Sequence, residues 1–130
     1  MPVSPPELHQ EFLAMKQYEK GLTGEKQAEN YLLALGMICI ARRYRAQDGE
    51  IDLIMQDGET IVMVEVKYRP RGRSGAGLMA VTPGKQRRIL HAAQAFLTER
   101  DWFGLPVRFD VVEITAEGVL HIPNAFMATG

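Results

Sequence analysis

The spacing of apolar residues changes character along this chain, and each change marks an element. Leu8, Phe12 and Met15 recur at helical intervals behind Ser4-Pro5-Pro6-Glu7, a capping box with prolines in the first turn, which predicts a helical arm over residues 1–20. After Gly21, Thr23 is placed to cap a second helix that runs to Leu35 and stops at Gly36. Ala28, Tyr31, Leu32 and Leu35 form its buried face, and Glu25 lies on or beside that stripe. Met37 to Ala41 reads as a strand, followed by the basic run Arg42-Arg43-Tyr44-Arg45. Strand-favouring residues then alternate on both sides of Asp57-Gly58: Ile51, Leu53 and Met55 before it, Ile61 to Val64 after it. This is a hairpin pattern.

Periodicity disappears from Arg69 to Gly77, where arginine and glycine dominate, so a flexible basic loop is expected. Thr82-Pro83 opens another helix whose inward face is Ile89, Ala92, Ala93 and Phe96; Lys85, four residues before Ile89, emerges from that inner face near the helix start. A turn at Trp102-Phe103-Gly104 leads to a strand from Val107 to Ile114, and Gly118 separates it from a short strand, Val119 to Ile122. The connection from Val64 through the helix to Val111 predicts a parallel strand pair. The order is two helices, three strands, a helix and two strands, without an internal repeat: an arm over 1–20 and a single domain over 21–130.

The hairpin carries the candidate chemistry. With Asp57-Gly58 as a two-residue loop, Asp52 falls opposite Met63, and Glu65 becomes its diagonal neighbour at roughly 7–8 Å. Lys67 shares the face of Glu65. Two carboxylates and an ammonium thus converge on a surface that Ile61 and Met63 mark as apolar. Carboxylates held that close require a cation or a shared proton. A hard divalent ion, Mg²⁺ or Mn²⁺, suits the oxygen donors of Asp52, Glu65 and the main-chain carbonyl of Val66, with Glu25 as a further ligand if its helix packs over the site. Such an ion would activate a water and offset charge on a phosphodiester, and Lys67 would orient that water or stabilise the transition state. Glu50, opposite Glu65 in the same register, is an alternative acid.

Composition narrows the setting. The 130 residues are 46% hydrophobic and 24% charged, ordinary for one globular domain. The only cysteine, Cys39, sits in an apolar run, which excludes a disulfide framework and suits a reducing compartment. The longest apolar run, Leu32 to Ala41, is about half of what a membrane span needs, so the expectation is a soluble cytoplasmic protein. The net charge of −1 is unevenly spread: from Lys67 to Arg88 there are seven bases and no acid. Arg69, Arg71, Arg73, Lys85 and Arg88, with Arg43 and Arg45, are therefore candidates to meet a phosphate backbone, although the loop arginines would also serve simply to keep it solvated. His9, His91 and His121 do not share a metal-ligand spacing, and Gly75-Ala76-Gly77 lacks the context of a phosphate loop.

Asp52 followed by Glu65-x-Lys67 resembles the PD-(D/E)xK nuclease signature, and an upstream helical glutamate such as Glu25 resembles the variant in Holliday-junction resolvases. Gly24-Glu25, Arg43-Tyr44-Arg45, Gly49-Glu50-Ile51-Asp52, Val64-Glu65-Val66-Lys67, Val81 with Lys85, and Arg108-Phe109-Asp110-Val111-Val112 together resemble the YraN-like bacterial family over about residues 21–114. This chain departs from the family pattern in having Arg43 where an asparagine is usual. The resemblance implies an α/β, restriction-endonuclease-like three-layer fold with an αβββαβ core and an extra N-terminal helix. It also implies a metal-dependent nuclease acting on structured or branched DNA, as a homodimer where a two-fold junction needs two cuts. A nucleic-acid-binding scaffold of the same fold, and a protein-binding module using the N-terminal helix, are the competing classes.

Overall fold

The computed structural model of the chain describes residues 23–74 and 81–127, so the expected arm over residues 1–20 and the Gly75-Ala76-Gly77 stretch lie outside the described residues. Thr23 caps α1 (Gly24–Ala34), its side chain accepting a hydrogen bond from the Lys26 amide at 3.2 Å. Thr82 caps α2 (Pro83–Arg100) in the same way, accepting from the Lys85 amide at 3.3 Å. Both helix starts fall where the sequence places them. The strands are β1 (Ile38–Ala46), β2 (Gly49–Asp57), β3 (Thr60–Arg69), β4 (Val107–Thr115) and β5 (Gly118–Phe126). They form one sheet in the order β1-β2-β3-β4-β5, in which β3 and β4 are parallel, as a crossover through α2 requires, and the other neighbours are antiparallel.

Strand alternation divides the core in two. Ile54, Ile61, Met63 and Val111 pack with Ile89, Ala92, Ala93 and Phe96 of α2 on one face. Met55, Val62, Val64 and Val112 pack with Ala28 and Leu32 of α1 on the other. The result is a three-layer α/β arrangement with a mixed sheet, consistent with a restriction-endonuclease-like domain. Among the described residues, no helix is long and apolar enough to cross a membrane.

Several boundaries differ from expectation. β1 continues through the basic run to Ala46, because Arg42 and Tyr44 find partners on opposite faces: Arg42 bonds Glu29 of α1, and Tyr44 makes an edge-on ring contact with Phe96 of α2 at 5.2 Å. β5 extends to Phe126 although it contains Pro123, which an edge strand tolerates. Leu35 is the C-cap of α1 and is 53% exposed, so the buried face of that helix ends at Leu32. Cys39 is half-buried rather than deep in the core. β3 takes in Arg69, shortening the expected loop.

The hairpin loop is Gly58-Glu59, with Asp57 paired to Thr60, one residue later than expected. Gly58 has φ 61° and occupies the first loop position, where a type II′ turn places glycine. One residue in the loop moves every pair by two: Met63 lies opposite Ile54, not Asp52, and the next step beyond Leu53↔Val64 brings Asp52 level with Glu65.

Candidate active site

Glu65 and Lys67 continue the row of Ile61 and Met63, whose face α2 covers. Glu65 is buried, and its Oε1 lies 3.1 Å from Lys67 Nζ and 3.5 Å from Lys85 Nζ, the latter reaching over from the first turn of α2. Lys85 thus stands where its spacing from Ile89 predicts.

Asp52 joins this group through an irregularity that alternation does not reveal. Ile51 belongs to the α2 core and Leu53 to the α1 core, although residues two apart on a regular strand share a face. The alternation therefore slips at Asp52. On the β1 side, the pairs Arg42↔Leu53 and Tyr44↔Ile51 put Arg43 beside Asp52, and Arg43 has φ 48°, a left-handed conformation uncommon outside glycine. On the β3 side the paired run begins only at Leu53, and the Asp52 carboxylate instead accepts the Val66 amide at 2.8 Å.

Two glycines hold the helices close to this point. A Cβ on Gly49, three residues before Asp52, would collide with the main-chain carbonyl of Arg88 in α2. One on Gly24 would stand 2.5 Å from Cβ of Tyr68, next to Lys67. Each helix thus meets the strands with no room for a side chain, beside a residue of the acidic group.

The cavity so framed is about 870 Å³, within the range of ligand pockets, and its walls include Glu25, Asp52, Glu65, Val66, Lys67 and Lys85. Arg45, Glu50 and Arg88 also line it. Its electrostatics are strained. Burial, and then the charge of Glu65, push the Asp52 carboxyl up to about 7, against the opposing pull of the Val66 amide. Burial pushes the Lys67 ammonium down, with neighbouring Lys85 adding to the effect and Glu65 opposing it. Lys85 is pushed up, first by the neighbouring Lys67 and then by the carboxylate of Glu65, against burial.

Not every expected residue joins. Glu25 lines the cavity, but its carboxylate is bonded to Arg43 Nε at 2.7 Å. Among the described residues no three His, Cys, Asp or Glu side chains gather closely enough to cage an ion, so Asp52 and Glu65 form a two-carboxylate centre. Glu50 does not face Glu65: it is exposed and pairs across β1 with Arg45 at 3.2 Å, because the register carries it past the end of the β2–β3 ladder. Arg69, Arg71 and Arg73 are exposed at and beyond the end of β3 and are not part of the cavity wall. The side-chain oxygen donors that could hold a hard cation here are the carboxylates of Asp52 and Glu65, and Val66, the third expected ligand through its carbonyl, lines the same cavity. A centre that binds a proton near neutrality to relieve its own repulsion is one where a divalent ion would provide the same relief.

Sequence reasoning missed one charged centre. Glu29 is buried, receives a bidentate Arg42 (Nη2 to Oε2 2.9 Å) and bonds Lys26 at 3.3 Å. Its position three before Leu32, on the apolar stripe of α1, is the signal that it would need a partner from the sheet. Arg108 and Asp110 pair with each other at 3.1 Å, Arg108 also with Asp57 and Asp110 also with His121.

This arrangement can be set beside known proteins. The family model described as "Uncharacterised protein family UPF0102" matches residues 24–114, which spans the cavity and both helices. A UPF0102 protein of Saccharophagus degradans is 44% identical over 112 residues, covering 85% of this chain and 95% of the relative. One from Yersinia enterocolitica is 41% identical over 116 residues, covering 88% and 99%. Another, from Nitrosococcus oceani, is 45% identical over 113 residues, covering 83% and 91%. With identity of this degree across nearly the whole length of each relative, the chain belongs to the UPF0102 family, the YraN-like family that its GEID and VEVK blocks resemble.

Proposed function

We propose that this protein is a Mg²⁺- or Mn²⁺-dependent nuclease that hydrolyses phosphodiester bonds in structured or branched DNA. The observation that carries this reading is the pair of half-buried Asp52 and buried Glu65, flanked by Lys67 and Lys85, in an open cavity. Asp52, Glu65 and the Val66 carbonyl would hold the ion, with Glu25 as a further ligand. Bound there, a divalent ion supplies a water of lowered pKa and offsets charge on the phosphodiester.

The chain's own groups do the rest. Glu65 anchors the Lys67 ammonium, aiming it into the cavity, where it can orient the attacking water or meet charge developing on phosphate oxygens. Lys85, on α2, offers a second cation to the same oxygens. Arg45 and Arg88 on the cavity wall draw in the flanking backbone, and Arg43, Arg69, Arg71 and Arg73 extend the basic surface outside it. A DNA substrate places the protein in the cytoplasm, and a two-fold junction would need two copies.

The test is a cleavage screen with Mg²⁺ and Mn²⁺ over junction, flap, single-stranded and duplex DNA. Lys67→Ala should keep DNA and metal binding while losing about 10²–10³ in turnover. Competent binding without cutting on every substrate would instead support a non-catalytic nucleic-acid-binding module, a reading favoured by the bond that ties Glu25 to Arg43 rather than to the acidic pair.

A further inference from the structure

Glu25 is the one acid of the cavity that is tied to a side chain outside it. Its carboxylate lines the same cavity as Asp52 and Glu65, yet it also borders a second, smaller cavity of about 260 Å³ shared with Arg42 and Arg43, and its bond goes to the latter. Arg43 reaches Glu25 from a left-handed backbone conformation at the position beside Asp52, where strand alternation slips. The Arg43 side chain is 65% exposed and the Glu25 side chain 34%, so this is a pair in contact with water and held weakly. An arginine in that state exchanges a carboxylate for a phosphate at little cost, since its planar fork fits either.

We propose that Arg43 is a positioning residue that holds Glu25 away from the Asp52–Glu65 pair until a nucleic-acid phosphate takes its guanidinium, so that the third acid joins the centre only when substrate is present. This rests on the metal-nuclease reading and adds to it a control by substrate over how the acidic centre is completed. Glu25 already stands on the cavity wall, and Arg43 is on the outer surface next to it. With its partner gone, the Glu25 carboxylate is left beside an acidic pair that needs positive charge, and it can contribute to holding a cation there.

Mn²⁺ binding measured by calorimetry tests this without relying on turnover. Arg43→Asn and Arg43→Gly both suit a left-handed backbone. Either should bind Mn²⁺ more tightly than wild type in the absence of DNA, by up to about fivefold, the most that a solvated ion pair withholds. Adding Glu25→Gln to either variant should abolish the gain. In wild type, a junction DNA with non-hydrolysable linkages should raise Mn²⁺ affinity by a similar factor, and in the Arg43 variants it should raise it less. Mn²⁺ binding that depends on Asp52 but is the same with and without Arg43, or a gain that survives Glu25→Gln, overturns the proposal while leaving the nuclease reading intact. Mn²⁺ binding that is absent, or unaffected by Asp52→Asn, overturns both. Thermal melts of each variant establish that it is folded, and Arg43→Gly serves if Arg43→Asn is not.

Discussion

Two aspartates of the sheet, Asp110 buried and Asp52 half-buried, are treated differently by the fold. Asp110 on β4 is fully buried and saturated: Arg108 bonds it through Nε and Nη2, His121 Nε2 lies at 2.8 Å, and the Asn124 amide donates at 2.9 Å. Asp52 on β2 receives the Val66 amide at 2.8 Å, and otherwise faces the carboxylate of Glu65. Donors surround the first, which ties β4 to β5 through its bulged, left-handed turn at Asn124. Repulsion and desolvation dominate at the second, so it is left with an affinity for protons and cations. Burial alone does not mark a functional carboxylate. The count of donors does, and it separates a structural joint from a centre able to do chemistry.

The sharpest way to break this comparison is to remove each carboxylate. Asp110→Ala strands Arg108 and His121 against a buried surface and should cost about 3–5 kcal/mol in urea unfolding. An effect below about 1 kcal/mol would show that the network is not structural. Gly49→Ala probes the frame around Asp52 instead. Since a Cβ there meets the Arg88 carbonyl, which cannot swing aside, α2 must shift, at about 1–3 kcal/mol. Lys85 rides on α2, so if the protein is the proposed nuclease the same substitution should also weaken Mn²⁺-dependent cleavage, whereas a purely structural loss would leave cleavage per folded molecule unchanged.

Asp52→Asn should act in the opposite sense to Asp110→Ala. The folded protein holds a proton on Asp52 up to about pH 7 while the unfolded chain releases it near 3.8, so metal-free stability falls as pH rises between those values. In chelator at pH 8 the substitution should raise stability by on the order of 1 kcal/mol, with the gain vanishing toward pH 4, while Mn²⁺ binding is lost. A gain that does not depend on pH would mean that the repulsion is not its source. The smallest effect belongs to Glu29. Its hydrogen bond to Arg42, then that to Lys26, holds it below the ordinary carboxylate value against burial, so its contribution is complete above about pH 4.5 and is lost as pH falls through its lower folded value. Glu29→Gln should therefore lower stability at pH 7 and change it little at pH 2–3, a convergence that urea titrations at both pH values would detect.

The sequence by itself determined the caps at Thr23 and Thr82, the inward face of α2, the parallel β3–β4 pair, the shared face of Glu65 and Lys67, and the emergence of Lys85 from the inner face of α2. All of these follow from local periodicity and short-range chemistry, which are written into consecutive residues. Tertiary structure decided the rest. The alternation of a strand cannot foretell a slip at Asp52, because the slip is imposed by Arg43 on the neighbouring strand and by the Val66 amide across the hairpin. The hairpin loop lies one residue later because a type I′ loop at Asp57-Gly58 would need a left-handed Asp57, whereas the type II′ loop needs only Gly58 there, and that brought Asp52 level with Glu65. Glu50 pairs with Arg45 instead of facing Glu65, and Glu25 pairs with Arg43, for the same kind of reason: an exposed charge pairs with whatever the sheet register sets beside it, a distance in space that the order of residues does not contain.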